Sequence, residues 1–408
     1  MGYETYRIAD LIDEIAMGPF GSNIKVSCFV DSGVPVLNGS NLEGFSLSEK
    51  TFRYVTREKA DSLNKANAHR GDIVITHRGT LGQIVFIPQD SKYDRYVISQ
   101  SQFRVRCNDK VLPEYLVYYF HTPIGQHKLL SNASQVGVPA LARPSSTFQQ
   151  IEVVLPELSI QKRVVEIIST IQKKIVNNQE LNDNLQQQLR TIFKAEFTDN
   201  PELEKMTQIP LSELCHVVTK GTTPTTLGKP FVESGINFIK AESILADHSL
   251  DKSKFAFIDE ETNALLKRSV IHAGDIVFTI AGTLGRFALI DDNALPANTN
   301  QAVAIIRAAA EKVLPEYIYT CFIGEWHTDY YAKRVQQAVQ ANLSLTTIKS
   351  LPIPVLDKAK MDEYLRLILP LIKAIKGNEA QNEKLAALRD ALLPKLMSGE
   401  IDVSDIQL

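Results

Sequence analysis

The amino-acid sequence predicts an α+β protein with two tandem mixed α/β domains, each followed by a long helix, the two helices packing as an antiparallel coiled coil. Three observations predict this fold: a duplicated block, short apolar runs in both copies, and two long segments with helical periodicity. The predicted boundaries are a first domain at 1–157, a first long helix at 158–200, a second domain at 201–356, and a second long helix with a tail at 357–408.

The duplication is the strongest of these observations. The segment "GDIVITHRGTLG" (Gly71–Gly82) recurs 203 positions later as "GDIVFTIAGTLG" (Gly274–Gly285). The block "VLPEY" also occurs twice, at Val111–Tyr115 and at Val313–Tyr317. Further aligned pairs are Gly18 with Gly221, Gln100 with Gln301, and Arg106 with Arg307. The sequence therefore predicts the duplication of a whole domain.

Both copies contain short apolar or alternating runs bounded by Gly, Pro, Asn and Asp, which predict strands. They are "GDIVIT", "QIVFIP" and "SQFRVRC" in the first copy, and "NFIKAES", "GDIVFTI" and "AVAIIRA" in the second. The segments "LPEYLVYYFHTP" and "LPEYIYTCFIGEW" predict short helices that begin at a proline. Each copy is therefore predicted to be a mixed α/β domain.

A long helix is predicted after each copy. Ser159–Phe197 contains no Gly or Pro and places its apolar residues at the 3–4 spacing of a coiled-coil seam. Its counterpart runs from about Lys358 to Met397 and contains Pro370 and Pro394, which are predicted to kink or interrupt that helix. Helices of about 38 residues would be about 57 Å long, more than one small domain needs for its own core.

Asparagines interrupt both apolar seams at matching places, Asn178 and Asn182 in the first helix and Asn378 and Asn382 in the second. A polar residue in a seam lowers stability but fixes register and partner choice. We predict that the helices pair antiparallel, with these asparagines near the crossing. The alternative is that the four side chains turn outward to solvent.

Composition and charge limit the class of protein. The chain has 408 residues, 44% of them hydrophobic and 22% charged, as in an ordinary globular protein. Its longest apolar runs are too short to span a membrane, so we expect a cytoplasmic protein with no membrane partner. The four cysteines are scattered singly, which favours reduced buried thiols over disulfides or zinc ligands. Because the net charge is −3, a surface that binds nucleic acid must be local or completed by a partner.

No catalytic constellation is recognisable. The segment "KGTTPTTLGKP" (Lys220–Pro230) fails as a phosphate-binding loop, since Pro230 replaces the Ser or Thr that would hold magnesium. The eight histidines form no H-x-x-x-H pair, and spacing identifies no partner for Asp72 or Asp275. We therefore predict no catalytic residues, no metal ligands and no cofactor-binding residues in this chain.

Polar and basic loops at comparable positions of the two copies predict a binding function. Asn, Gln, Arg, Lys, Ser and Thr are the side chains that contact base edges and phosphates. The candidate DNA-contacting residues of the first copy are Phe20, Ser22, Asn23, Lys25, Asn38, Ser40, Asn41, His77, Arg78, Thr80 and Gln135. Those of the second copy are Lys220, Thr222, Thr223, Thr225, Lys229, Lys240, Glu242, Ser243, Thr283, Arg286, Gln337 and Gln340. The alternative is that these loops are solvated turns.

The chain resembles the specificity (S) subunit of a type I restriction-modification system over essentially its whole length. The resemblance rests on the duplicated "GDIV…GTLG" and "VLPEY" blocks and on the proline-bearing joints "IEVVLPELSIQKR" (Ile151–Arg163) and "LPIPVL" (Leu351–Leu356). The terminal segment "LRDALLPKLMSGEI" (Leu388–Ile401) is the stretch most similar to the family.

This resemblance implies two target-recognition domains that each bind one half of a split double-stranded DNA sequence. It implies that the two helices set the gap between the halves and dock two methyltransferase (M) subunits, which use S-adenosylmethionine to methylate adenines. With restriction (R) subunits, which use ATP and magnesium, the complex becomes a translocase and endonuclease. The chain itself is then a non-catalytic subunit.

Within this framework the recognition loops are expected to enter the major groove. Phosphate contacts are predicted for Lys25, Arg78, Lys220, Lys229, Lys240 and Arg286. His77 and Arg78 are replaced by Ile280 and Ala281 in the second copy, so the two half-sites are predicted to differ. Two alternatives stay open: a stand-alone DNA-binding regulator without methyltransferase partners, and a duplicated enzyme with a cofactor or metal pocket in each half.

Overall fold

The computed structural model describes residues 2–134, 137–201, 206–328, 330–331 and 342–404. By packing, the chain divides into two compact units. Unit 1 comprises Met1–Lys173 together with Leu385–Leu408, and unit 2 comprises Lys174–Lys384. This division does not follow chain order, because each of the two long helices contributes residues to both units.

Unit 1 contains short strands and four short helices before the first long helix begins, counted over its described residues. The strands are β1 (Tyr3–Arg7), β2 (Ile12–Met17), β3 (Phe29–Val30), β4 (Val34–Val36), β5 (Arg53–Val55), β6 (Asn67–His69), β7 (Ile73–Thr76), β8 (Ile84–Phe86), β9 (Arg95–Val97), β10 (Gln102–Cys107), β11 (Ala133–Ser134), β12 (Ala140–Leu141) and β13 (Glu152–Pro156). The helices are α1 (Arg57–Ser62), α2 (Pro113–His121), α3 (Pro123–Leu130), α4 (Pro144–Gln149) and the long α5 (Leu158–Phe193).

Unit 2 repeats much of this order. Its strands are β14 (Thr207–Pro210), β15 (Cys215–Lys220), β16 (Ile236–Ile239), β17 (Ala256–Ile258), β18 (Ile276–Thr279), β19 (Phe287–Leu289), β20 (Ala297–Thr299), β21 (Val303–Ala308) and β22 (Pro352–Val355). Its helices are α6 (Glu260–Leu265), α7 (Pro315–Ile323), α8 (Leu345–Lys349) and the long α9 (Lys358–Ser398). The first long helix ends in a π-helical turn, Lys194–Thr198.

The two units share one sheet topology, which confirms the predicted fold. The main sheet has the order β2-β10-β7-β8 in unit 1 and β15-β21-β18-β19 in unit 2. The second sheet is β3-β5-β4-β9-β6 in unit 1 and the shorter β17-β16-β20 in unit 2. Each second sheet contains a parallel pair, β4 with β9 in unit 1 and β16 with β20 in unit 2. The two pairs hold equivalent positions in their sheets. Strands β1 and β13, and likewise β14 and β22, pair antiparallel.

The duplicated "GDIV" strands each separate two cores. In β7 the side chains of Ile73 and Ile75 join the core that includes the long helices, while Val74 joins a second core on the opposite face. In β18 Ile276 and Phe278 face one core and Val277 the other. Successive side chains of a strand point to opposite faces, so an uninterrupted apolar run is expected where both faces are buried.

A buried carboxylate joins these strands to their neighbours in both units. Asp72 accepts hydrogen bonds from Arg106 Nε at 2.8 Å and Nη2 at 3.2 Å. Asp275 accepts the equivalent bonds from Arg307, both at 2.7 Å. The aspartates also cap the turn before the strand, through the backbone N–H of residues 69 and 272. These arginines are the partners that spacing alone did not identify.

The long helices run antiparallel and share each unit's core. In unit 1 the α5 residues Ile160, Val164 and Ile168 lie in one core with Leu393, Leu396 and Met397 of α9. In unit 2 the α5 residues Leu185, Leu189 and Phe193 lie in one core with Tyr364, Ile368, Ile372 and Ile375 of α9. The N-terminal part of α5 thus packs with the C-terminal part of α9, and the C-terminal part of α5 packs with the N-terminal part of α9, as in an antiparallel pair.

The predicted interruption of the second helix is wrong, because α9 continues through both Pro370 and Pro394. Proline removes one backbone hydrogen bond and crowds the preceding turn. Both sites are flanked by buried apolar residues, Ile368 and Ile372 around the first and Leu393 and Leu396 around the second. Packing on both sides of each proline offsets the lost bond.

The four asparagines lie between the helices of unit 2. Asn178 donates to Gln381 Oε1 and to Asn382 Oδ1, each at 2.8 Å. Asn378 donates to Asn182 Oδ1 at 2.8 Å, while Asn182 and Asn382 donate to backbone carbonyls of the facing helix at 3.3 Å. The amides therefore form a hydrogen-bonded layer across an antiparallel pair.

Candidate nucleic-acid interface

In unit 1 the loop that follows β2 is fixed at its first residue. The backbone N–H of Gly18 donates to Gln102 O at 2.8 Å, and a Cβ on Gly18 would lie 1.9 Å from Ser99 O. Only glycine allows this close approach. Gly221 occupies the equivalent place in unit 2, where a Cβ would lie 1.8 Å from Thr299 O. The loops 18–25 and 221–229 thus leave the two main sheets at the same point.

Three of the predicted recognition segments meet in unit 1. The carbonyl of His77 accepts from Leu141 N at 2.9 Å, and Gly79 N donates to Pro139 O at 2.8 Å. The His77 ring lies 3.2 Å from Gln100 O through Nε2. A cleft of about 620 Å³ is lined by Met17–Gly21, Asn23, Ser62–Ala66, His77, Arg78 and Gln100. The structure therefore brings the loop after β2 and the loop after β7 to one cleft, with residues 139–141 bonded to the latter.

Several predicted side chains at this cleft are open to solvent. Phe20 is 84% exposed, although aromatic side chains of globular proteins are mostly buried. Asn23 and Arg78, which also line the cleft, are exposed, and so are Lys25 and Thr80 in the same two loops. His77 is half-buried, and this burial lowers the pKa of its imidazole. The carbonyl of Gln100 can only accept, so in the neutral imidazole Nε2 donates to it and Nδ1 is left as the hydrogen-bond acceptor that His77 can offer to a ligand.

The loop after β4 is organised mainly by its own side chains. Asn38 Oδ1 accepts from the backbone N–H of Ser40 at 2.9 Å and from its hydroxyl at 2.6 Å. Asn41 is 1% exposed and donates to the carbonyls of Ser48 and Thr51. Because Asn41 is closed to solvent in this conformation, we assign it to loop structure rather than to DNA contact. Asn38 and Ser40 are exposed at the surface of the same loop.

In unit 2 the loop after β15 is equivalent to the loop after β2 in unit 1, and it carries threonines. Thr222 and Thr223 are half-buried, and Thr225 and Lys220 are exposed. The hydroxyl of Thr223 donates a short hydrogen bond to Gln301 Oε1, so the loop is tied to the residue aligned with Gln100. This loop therefore presents hydroxyl groups where the loop of unit 1 presents Phe20.

The remaining predicted cations of unit 2 have internal partners. Lys229 Nζ lies 2.7 Å from Glu261, and Lys240 Nζ lies 3.2 Å from Glu242. Arg286 Nη1 donates to Ile244 O at 3.1 Å. Ser243 is completely buried, so we assign it, like Asn41, to loop structure.

The described part of the chain does not include all of the predicted residues. Gln135, Gln337 and Gln340 lie outside the described residues, and the side chain of Ser22 is likewise not described. Thr283 is exposed in the turn after β18. Its carbonyl accepts a hydrogen bond from the hydroxyl of Thr279 at 2.5 Å, which closes that turn.

Sequence reasoning missed a basic turn beside each first loop. Asn64 and Lys65 line the cleft of unit 1, and in unit 2 Arg268 Nη2 approaches Thr222 Oγ1 at 3.4 Å. The turns are Asn64–Ala66 and Lys267–Ser269, 203 positions apart. That offset equals the offset of the "GDIV" blocks, so extending the alignment along the chain would have found them.

The described residues provide neither a metal-binding cluster nor an activated thiol at Cys107 or Cys215. Within them, no three or more His, Cys, Asp or Glu side chains are grouped so that they could hold a metal ion. Burial raises the pKa of the Cys107 thiol to about 12 and that of Cys215 to about 12, so both are protonated at neutral pH and poor nucleophiles. In the part of the chain that the structure describes, none of the helices combines the length and apolar character needed to cross a membrane.

Comparison with known families accounts for the duplicated architecture. The family model described as "Type I restriction modification DNA specificity domain" matches the chain twice, at residues 2–187 and 204–385. The chain belongs to this DNA specificity family. The two matches coincide with the two copies of the duplicated block, and they confirm the resemblance inferred from that block.

Individual members of the DNA specificity family are similar over most of their length. The specificity subunit of type I restriction enzyme MjaIX from Methanocaldococcus jannaschii is 22% identical, covering 99% of this chain and 94% of that protein. The HindI specificity subunit from Haemophilus influenzae is 23% identical, with 81% and 87% covered. The crystal structure of an S subunit from M. genitalium matches with a TM-score of 0.55 at 14% identity, covering 97% of this chain and 96% of that one. This last similarity supports the fold alone.

Proposed function

We propose that this chain recognises an asymmetric bipartite DNA target, with each unit binding one half-site through the loops that leave its main sheet. One observation carries the proposal: two units of the same topology present different side chains at equivalent positions. The position of His77 is taken by Ile280, which is 3% exposed, and the position of Arg78 by Ala281. Equivalent loops with different side chains suit two different base sequences.

Partners complete the proposed function. Relatives of the chain carry names of subunits of restriction enzymes, and the chain shows no cofactor motif of its own. We propose that the long helices dock two M subunits, which bind S-adenosylmethionine and methylate adenines, and that R subunits supply ATP- and magnesium-dependent cleavage. This division of labour also suits a net charge of −3, since the partners would supply further basic surface around the DNA.

The test is to map methylated adenines in cells with and without this gene, together with a neighbouring methyltransferase gene. A bipartite motif that disappears with the gene supports the proposal. Arg78→Ala should then weaken the recognition of one half of the motif only. If Arg78 contacts a base, the loss of binding free energy should be about 1–3 kcal/mol. Arg57→Ala, which removes an exposed arginine outside the cleft, is the matched control and should leave the motif intact.

One outcome would contradict the proposal, and a second would change only the role of Arg78. If no motif depends on the gene and the purified chain alone binds a specific DNA sequence tightly, the protein is a stand-alone regulator. If Arg78→Ala weakens binding to every DNA sequence equally, Arg78 contacts phosphate and the half-site is recognised by other side chains.

A further inference from the structure

The turns Asn64–Ala66 and Lys267–Ser269, which lie beside the recognition loops, carry a positive charge at the same point in both units. Lys65 is the middle residue of the turn after α1, and Arg268 is the middle residue of the turn after α6. Both side chains are exposed. Most aligned loop residues differ between the units, yet this position keeps a long basic side chain.

The backbone of each turn is held in place by buried polar side chains. In unit 1 Arg104, which is 4% exposed, donates through Nε to Lys65 O at 2.8 Å. Arg104 is itself fixed by Glu14 at 2.9 Å and Asp72 at 3.3 Å. In unit 2 the amide of the fully buried Asn298 donates to Leu266 O at 3.3 Å, just before the turn. Arg307 Nη2 donates to Val270 O at 3.0 Å, just after it. The basic side chains are therefore presented from rigid positions.

The charges of Lys65 and Arg268 are available to a ligand. Among the described residues neither side chain has a carboxylate within 4.0 Å, whereas Lys229 and Lys240 are each paired with a glutamate. Glu14, the acidic residue that acts on Lys65 electrostatically, is already bonded to Arg104. Both charges lie beside the first recognition loop of their unit, Lys65 in the lining of the cleft and Arg268 next to Thr222.

We propose that Lys65 and Arg268 bind backbone phosphates at equivalent points of the two half-sites, independently of base sequence. This inference rests on the proposed function. The phosphate backbone is the part of the target that is identical in both halves, so a contact that keeps its charge in both units suits phosphate better than bases. Side chains that contact bases are expected to differ between the units, as His77 and Ile280 do.

The expected signature is a change in salt dependence without a change in target. Each phosphate that a Lys or Arg neutralises contributes about −0.9 to the slope of log K against log[salt]. Loss of one such contact therefore makes the slope less steep by about 0.9. Lys65→Gln and Arg268→Gln should each lower the slope by about 1, and the double variant by about 2. Affinity for motif-bearing and scrambled duplexes should fall by the same factor, and the methylated motif should stay the same.

The experiment uses the full chain assembled with its methyltransferase partner. Fluorescence anisotropy measures binding to a motif-bearing duplex and a scrambled duplex over a series of KCl concentrations, and methylome sequencing records the motif. Lys65→Arg and Arg268→Lys keep the charge and should keep the slope. Lys50→Gln, an exposed lysine outside the cleft, is the control for a general loss of charge.

The outcomes separate the inference from the function on which it rests. An unchanged slope in Lys65→Gln and Arg268→Gln, or a slope lowered equally by Lys50→Gln, overturns the inference and leaves the proposed function intact. A change confined to one base of the motif also overturns it, because the residue then contacts that base. If the wild-type complex binds motif and scrambled DNA equally, the proposed function itself fails.

Discussion

The carboxylates of Asp72 and Asp275 show how much one residue contributes to each unit. Each accepts at least three hydrogen bonds, two from an arginine on the adjacent strand and one from the turn that precedes its own strand, and Asp72 also accepts one from Arg104. A buried carboxylate needs this number of donors, since an unpaired charge in a protein interior is strongly destabilising. The repeated "GD" is therefore explained by a structural ion pair rather than by phosphate binding.

Asp275→Asn should destabilise unit 2 markedly. The variant removes the charge that balances Arg307 and turns an amide N–H₂ towards groups that are themselves donors. Removing one partner of a buried pair costs about 3–5 kcal/mol, and the partial exposure of Arg307 places the expected loss near the lower end. The measurement is the midpoint of urea unfolding. Glu311→Gln, which breaks a surface pair with His216, is the control and should leave the midpoint unchanged.

His327 should make the stability of unit 2 depend on pH. It is 7% exposed, its ring faces Phe278, Phe287 and Tyr331, and its Nδ1 has no hydrogen-bond partner. Burial, followed by the nearby His248, lowers the pKa of His327 to about 4. The unfolded chain takes up a proton near pH 6.5 and the folded chain only near pH 4, so stability falls as the pH drops through this range.

The prediction is tested with His327→Phe. The melting temperature of the wild-type protein should fall between pH 7 and pH 5, and that of the variant should fall less, because one buried base has been removed. His248, whose pKa is also lowered to about 4, should retain part of the pH dependence. Parallel melting curves for the two proteins would show that His327 is not buried in neutral form.

At the scale of elements, the duplicated segments allowed strands of each main sheet to be predicted, β7, β8 and β10 in unit 1 and β18 and β21 in unit 2, together with one short helix per unit. The helices that begin at Pro113 and Pro315 start within the "VLPEY" motif. Proline at the first helical position has a φ angle suited to the helix, and the backbone N–H that it lacks would have no partner within the helix. The segment "NFIKAES" was only partly right, since β16 ends at Ile239 and a 3-10 turn follows. Local alternation did not mark this end, because the turn depends on tertiary contacts.

The continuity of helix α9, in contrast, was not predicted from the sequence. Proline has the lowest helix propensity of all residues, so Pro370 and Pro394 predicted a kink or a break. Propensity is a local quantity, whereas the neighbours Ile368 and Leu393 are buried against residues distant in sequence. Tertiary packing outweighs the local preference here, and a single sequence does not report such contacts.

The asparagine layer gives a prediction for the helix pair. Asn178→Leu should lower the free energy of unfolding by about 1–3 kcal/mol, because the acceptor oxygens of Gln381 and Asn382 lose their buried donor. Replacing all four asparagines by leucine should instead raise stability and reduce the specificity of register, as buried polar residues in coiled coils do. Urea unfolding measures the first effect. If Asn178→Leu is as stable as the wild type, the layer does not hold the pair.

At the scale of the whole molecule, the proposed gap between half-sites should depend on helix length. One extra heptad after Lys173 and another after Lys384, where the chain passes between units, would lengthen both helices by about 10.5 Å. This corresponds to about three base pairs of DNA. Methylome sequencing should find the same two half-sites with a gap longer by about three base pairs.

Two controls accompany the insertion. A heptad in only one of the helices should abolish methylation, since the two helices would then differ in length between the two cores to which both contribute. An unchanged gap with both heptads in place would show that the helices do not set the spacing, although the recognition by each unit would stand.

The interleaved course of the chain has a consequence for its synthesis. Unit 1 draws Leu393, Leu396 and Val403 into its core, and Arg163 Nη1 donates to Val403 O at 2.8 Å. On a ribosome, the first 173 residues therefore wait for Lys174–Lys384 to be made before this core can close. At 5–20 residues per second the delay is roughly 10–40 s. The unit that is translated second is thus the first to have all its residues, and the nascent first unit is left with an unfilled apolar strip that chaperones can bind.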